Sequence, residues 1–171
     1  MGPYRYTDEL AEAVSKADAI CFGTLGLRSQ ESHDTIIKLL QHAKEGALKF
    51  FDINLRANFY SKELIEELLG YANIFKINDD ELIMMREMFS IPEGNDEEAC
   101  KWFMDRFDLE YIILTGGATF STIIAKDGET STLLTPHVEV ADTVAPAIPS
   151  PAPSPARSCP APPSRKRIAR P

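Results

Sequence analysis

The sequence predicts an α/β protein: a mostly parallel sheet with helices on both faces in three layers, followed by a disordered tail. Three observations lead there. Short apolar runs alternate four times with longer amphipathic stretches, an Asp-Gly pair separates two further strand-like runs, and after Val144 the composition turns abruptly to Pro, Ala, Ser and Arg.

Taken in order, Ala19-Ile20-Cys21-Phe22-Gly23 reads as a buried strand. Asp34 to Lys44, with Ile36, Ile37, Leu39, Leu40 and Ala43 on one face, reads as a helix that Gly46 closes. Leu48 to Asp52 is a second strand, followed by a helix from Ser61 to Leu69 with Gly70 at its end. Asn73 to Ile77 is a third strand, and helices follow over Asp79 to Phe89 and Asp96 to Phe107. Tyr111 to Leu114 is a fourth strand. Phe120 to Ala125 and Ser131 to Leu134, joined through Lys126-Asp127-Gly128-Glu129, form a hairpin, so the sheet ends on an antiparallel edge. Strand and helix in alternation imply right-handed βαβ units.

Charge divides the chain at the same place as composition. Five of its 18 Lys and Arg, but none of its 26 Asp and Glu, lie from Ala145 onward, with nine of its 12 prolines. The body is acidic and rich in Leu, Ile and Phe. It can bury one core and is poorly suited to nucleic acid or an anionic membrane. The tail has too little large apolar surface to offset its ordering entropy, which predicts disorder or extension. The domain organisation expected is therefore residues 1–144 as a folded body and 145–171 as a disordered tail.

In open α/β sheets ligands sit beyond the carboxyl ends of the strands. Three polar clusters fall at such ends: Asp52-Ile53-Asn54-Leu55-Arg56, Asn78-Asp79-Asp80-Glu81 and Thr115-Gly116-Gly117. Each also has a local reading. Asn78-x-x-Glu81 ahead of Leu82, Ile83 and Met84 is a capping box, Asp52 and Arg56 suit an ion pair, and Gly116-Gly117 suits a turn. Chemically, carboxylate and amide oxygens suit a magnesium shell, mostly through water, whereas a guanidinium and free backbone N–H groups suit phosphates.

Four segments in this order, Phe51 to Arg56, Lys76 to Leu82, Ile113 to Gly117 and Ala141-Asp142-Thr143-Val144, resemble the ribokinase/PfkB family of carbohydrate kinases, especially its fructokinase-like members. The resemblance covers nearly all of residues 8–144. It implies a ribokinase-like, Rossmann-like α/β/α fold and magnesium-assisted transfer of a phosphoryl group from ATP to a sugar hydroxyl. By that resemblance Asn78 and Glu81 organise magnesium and the phosphates, Glu81 acting on the metal through water. Thr115, Gly116, Asp142 and Thr143 lie on the nucleotide side, and Asp52, Asn54 and Arg56 on the phosphate or substrate side. The partners implied are a sugar and ATP, with a homodimer possible for full-length members.

The resemblance also has departures. Thr119 stands where the family's Gly-x-x-Gly loop has its second glycine, and Ala145-Pro146-Ala147-Ile148 stands where Gly-Ala-Gly-Asp is expected. That motif supplies an anion hole and, through its Asp, the general base. No carboxylate follows Asp142, so the chain as written is expected to lack the base and the activity. A frame slip accounts for the change. If Gly-Ala-Gly-Asp-Ser-Phe-Thr-Gly-Ser-Phe is written GGC GCC GGC GAT TCC TTC ACC GGC TCC TTC, removing one G yields Ala-Pro-Ala-Ile-Pro-Ser-Pro-Ala-Pro-Ser, which is Ala145 to Ser154. The tail is thus read as out of frame. The front is also read as short, lacking the family's first strands and most sugar contacts, with an exposed apolar sheet edge as the consequence.

Other features narrow the reading less. Cys21, Cys100 and Cys159 have no metal-ligand spacing and read as reduced thiols in a cytoplasmic protein. No apolar run approaches the roughly 20 residues of a membrane span. His33, His42 and His137 suggest no catalytic pairing. A non-catalytic nucleotide-binding or interaction module is the alternative function. The tail's Pro-x-x-Pro spacing and Arg165-Lys166-Arg167 offer a polyproline ligand or a basic patch as a third.

Overall fold

A computed structural model describes residues 3–56, 60–117 and 119–135. The seam after Val144, the tail, and the candidate residues Asp142 and Thr143 lie outside the described residues. The described residues all belong to one compact unit, Met1–Pro136.

The chain runs α1 (Asp8–Lys16), β1 (Ala19–Phe22), a short 3₁₀ turn (Thr24–Leu27), α2 (Gln30–Gln41), β2 (Leu48–Asp52) and α3 (Lys62–Leu69). It continues with β3 (Ile74–Asn78), α4 (Asp79–Phe89), α5 (Asp96–Phe107), β4 (Tyr111–Gly116), β5 (Phe120–Ala125) and β6 (Thr130–Leu134). The six strands lie side by side in sequence order. The first four are parallel and the last two antiparallel, as the Asp-Gly hairpin requires.

Right-handed crossovers between strands that are neighbours in both sequence and space carry the intervening helices to one face of the sheet. The burial pattern agrees. Phe22, Phe51, Phe75 and Ile112 are register partners on successive strands and all are buried. Phe22, Phe51 and Phe75 stack at centroid separations of 5.4 and 5.6 Å, and Phe103 of α5 meets Phe75 edge-on at 5.7 Å. Ile65, Leu68 and Leu69 of α3 and Leu82 and Met85 of α4 complete this core. Burying one such side chain contributes about 1.5–3 kcal/mol, so a Phe on each of three neighbouring strands goes far toward setting their register.

On the opposite face Phe50, Ile74 and Ile113 are half-buried, and Tyr111 and Ile123 are exposed. The described residues show helices packed on the Phe51 face, and the second helix layer expected on the opposite face is not among them.

Most element bounds follow the sequence closely, and two points differ. Helix α1 is absent from the periodicity reading, although Thr7 caps it by accepting from the Leu10 N–H. Helix α2 starts at Gln30 and ends at Gln41, whereas periodicity places it at Asp34 to Lys44. Its buried face is made partly of Ser32 and Thr35, which grip the Tyr4 backbone, and a count of apolar residues passes over them. Gly46, with φ of 78°, serves the turn into β2 and does not cap the helix.

Candidate functional site

The parallel strands end in a row, and each strand end is held by a definable local interaction. At the end of β1, Gly23 lies so close to β2 that a Cβ there would sit 2.4 Å from the Asp52 carbonyl oxygen. Only glycine allows that approach. Next to it, the buried Thr24 donates its hydroxyl to the Ile53 carbonyl at 2.8 Å. The loop leaving β2 is thereby fastened from one side.

From the other side it is fastened by Glu81. Asn78, the last residue of β3, caps α4 by accepting from the Glu81 N–H at 2.7 Å. The Glu81 carboxylate returns to accept from the Asn78 N–H at 3.0 Å. This is the capping box expected from sequence, and it explains why β3 turns into α4 without a loop. The same carboxylate does something a capping box does not require. Its second oxygen accepts from the Leu55 N–H at 2.8 Å, so Glu81, a buried charge, ties the Asp52–Arg56 loop to the end of β3. Within that loop Asn54 adopts φ of 39°, left-handed backbone that Asn tolerates better than most residues, and its Oδ1 accepts from Arg56 Nε at 3.1 Å.

Asp52 does not pair with Arg56. Its carboxylate accepts from Lys76 Nζ through both oxygens at 3.0 Å, the two residues being register partners across β2 and β3. The sequence reading quotes Lys76 within a motif and gives it no role. Asp52 ends β2 whereas Lys76 stands at the middle of β3, so the pair depends on the offset register of the two strands and no spacing in the sequence signals it. The pair borders Cys21, an exposed residue whose thiol is nonetheless partly desolvated and is held above its ordinary range first by that desolvation and then by the Asp52 charge, with Lys76 opposing.

Asn78 and Thr115 are register partners on β3 and β4, which sets the second and third polar clusters side by side. Gly116 and Gly117 make the turn into β5. Thr119 donates to the Gly116 carbonyl at 2.8 Å, Gly117 has φ of 51°, and Gly116 is closely covered by the Phe120 ring. Thr119 therefore completes a closed turn in the place where the expected loop has glycine.

The structure thus brings together Asp52, Asn54, Arg56, Asn78, Glu81, Thr115 and Gly116 along one edge of the sheet. Asp142 and Thr143, expected to join them, lie outside the described residues. No group of three or more His, Cys, Asp or Glu is placed to hold a metal among the described residues. Both Glu81 oxygens are already engaged by backbone N–H groups, so this carboxylate suits a magnesium ion through water and not as a direct ligand.

A cavity of about 510 Å³ opens beside the row. Asp52 and Asn54 line it, but Asn78, Glu81, Thr115 and Gly116 do not. Most of its wall is apolar and comes from α1, β1 and α2.

An acidic and amide-bearing row beyond the carboxyl ends of parallel strands marks a ligand-binding α/β protein. The comparisons narrow that class: the model for the pfkB family of carbohydrate kinases matches residues 4–145, and the chain belongs to that family. Solved structures agree on the fold. An aminoimidazole riboside kinase from Salmonella enterica, complexed with aminoimidazole riboside and an ATP analogue, is 23% identical with a TM-score of 0.58. That match covers 72% of this chain and 41% of the kinase. A fructokinase from Xylella fastidiosa with bound ATP gives 15% and 0.66, covering 81% and 44%. A putative ribokinase II from E. coli, in complex with ATP and Mg2+, gives 16% and 0.63, covering 77% and 42%. The chain thus spans well under half the length of these solved relatives. No curated protein matches. Among the described residues no helix is long and apolar enough to cross a membrane.

Proposed function

We propose that this chain carries the nucleotide and phosphate side of an ATP-dependent sugar kinase of the fructokinase type, and that as written it binds nucleotide without transferring phosphate. The observation that carries the reading is the Glu81 carboxylate, which joins the Asp52–Arg56 loop to the Asn78 strand end. Loop and strand end then form one wall of a crevice. Arg56 is exposed on that wall, its Nε held by Asn54, and its guanidinium suits a phosphate oxygen. Asn78 and Glu81 would orient the water shell of magnesium, and Thr115 and Gly116 would lie against the nucleotide. Magnesium, when bound, neutralises charge on the transferring phosphates. Asp142 and Thr143 belong to the same nucleotide side on this reading.

The missing step is proton removal from the sugar hydroxyl. No Asp or Glu follows Asp142, and Ala145-Pro146-Ala147 cannot offer the run of N–H groups that an anion hole needs, because Pro146 has none. The out-of-frame reading of residues 145–171, and a cytoplasmic setting for a protein using ATP, belong to this same proposal.

Calorimetric titration with ATP, with and without magnesium, combined with an ADP-release assay on fructose and ribose, tests it. Magnesium-dependent binding without sugar-dependent ADP release is the expected result. Sugar-dependent turnover would show that a base exists, and absence of binding would remove the nucleotide role of the row.

A further inference from the structure

The left-handed Asn54 carries a further inference, which deepens the phosphate-side reading and rests on it for the identity of the ligand. A non-glycine residue at φ of 39° is costly backbone, and it persists only where its surroundings over-determine it. Peptide planes are rigid, so the conformation of Asn54 is set by the rotations between the plane before it and the plane after it. Both planes are held from outside the loop. The plane before Asn54 contains the Ile53 carbonyl, which accepts from the buried Thr24 hydroxyl at 2.8 Å. The plane after it contains the Leu55 N–H, which donates to Glu81 at 2.8 Å, and the Asn54 carbonyl, 3.4 Å from the same Thr24 hydroxyl.

Thr24 comes within reach because Gly23, just before it, lets the end of β1 close on the Asp52 carbonyl. What the fixed loop presents is Arg56. Asn54 Oδ1 accepts from Arg56 Nε at 3.1 Å, and an Asn54 released to ordinary right-handed or extended backbone would aim that oxygen elsewhere. A guanidinium already held at one nitrogen loses less freedom on meeting a phosphate than one that swings freely.

We propose that Thr24 is a positioning residue of the phosphate side: its hydroxyl, acting through Asn54, fixes the left-handed backbone that aims the Arg56 guanidinium at an anion such as the phosphate chain of magnesium-bound ATP. The test takes two readouts from the full chain, the affinity for magnesium-ATP by calorimetry and the Arg56 Nε–H cross-peak in a proton–nitrogen correlation spectrum.

Thr24→Val keeps the shape and removes the donor, so it should weaken binding about tenfold and shift the cross-peak. Thr24→Ser restores the hydroxyl and should restore the cross-peak, with binding within about twofold of the parent. Thr35→Val is the control. It removes another buried hydroxyl, one that donates to the Tyr4 carbonyl at 3.2 Å, and should leave both readouts unchanged. Asn54→Ala should match Thr24→Val, and the two combined should lose no more than the larger single loss, because Thr24 acts through Asn54. If Thr24→Val does not fold, Thr24→Ala takes its place in the same comparisons. Parent-like binding with an unmoved cross-peak in Thr24→Val overturns the proposal. Equal losses in Thr24→Val and Thr35→Val, or additive losses in the double variant, overturn it as well. If the parent binds no magnesium-ATP, the nucleotide reading falls, and the cross-peaks of Thr24→Val, Thr24→Ser and Thr35→Val alone decide whether Thr24 positions Arg56.

Discussion

Substituting Glu81 by Gln tests whether one carboxylate holds the strand-end row together. In the structure its two oxygens accept from the Leu55 N–H at 2.8 Å and the Asn78 N–H at 3.0 Å, and the residue is buried. Glutamine keeps the length but offers one acceptor and one donor, so one of the two N–H groups must face an NH2. Losing a charge-assisted hydrogen bond and orphaning a buried donor costs about 1.5–3 kcal/mol. Removing negative charge from the first turn of α4 adds about 0.3–1 kcal/mol. A total of about 2–4 kcal/mol should appear as a lower urea midpoint at unchanged m-value. The matching control is Glu98→Gln in α5, where Asn95 and Glu98 form the same box in an exposed setting and the Glu98 carboxylate accepts no further hydrogen bond among the described residues. That substitution should cost less than about 1 kcal/mol. Hydrogen exchange separates the contacts: in Glu81→Gln the Leu55 amide should lose protection. If the two substitutions cost the same and Leu55 keeps its protection, Glu81 is only a helix cap and the coupling between loop and strand end is refuted.

Other expectations concern separate parts of the molecule. Gly23→Ala puts a Cβ 2.4 Å from the Asp52 carbonyl oxygen, and the forced shift should cost about 1–3 kcal/mol in a thermal or urea melt. His33 of α2 is held above its ordinary pKa of 6.5 chiefly by its hydrogen bond to Glu67 of α3, with burial opposing and Asp34 assisting. The charged form is favoured in the folded state, so the stabilisation is complete below about pH 6.5. It fades as pH rises through the higher folded value, and the urea midpoint should fall over that window in the parent and stay flatter in His33→Gln. Burial pushes the Cys100 thiol up to about 12. Peptide mapping after brief alkylation at pH 8 should find Cys21, which is exposed, modified well before Cys100.

The order of elements was legible because strand and helix periods differ and because capping residues announce themselves. Asn78 with Glu81 marked the start of α4, and Asp127-Gly128 marked the final hairpin. Helix α1 escaped, since none of its residues is buried and its apolar positions are few, although Thr7 gave the cap signal. The buried side of α2 escaped in part because Ser32 and Thr35 bury hydroxyls that bond the backbone of Tyr4, a contact made across 28 to 31 residues.

For the site, sequence alone determined which chemistry stands at each strand end, because those residues follow directly on apolar runs whose direction and spacing a parallel sheet imposes. It also shows no Asp or Glu among residues 143–171. What only the tertiary structure decided is which groups meet. Arg56, four residues on, was a possible local partner for Asp52, which instead pairs with Lys76 because β2 and β3 lie in register. Glu81 was readable as a cap from its spacing to Asn78. Its hold on Leu55 depends on the crossover from β2 to β3, which returns a segment 26 residues away to within 2.8 Å. Local hydrogen bonds are set by spacing along the chain, whereas these are set by the packing of neighbouring strands.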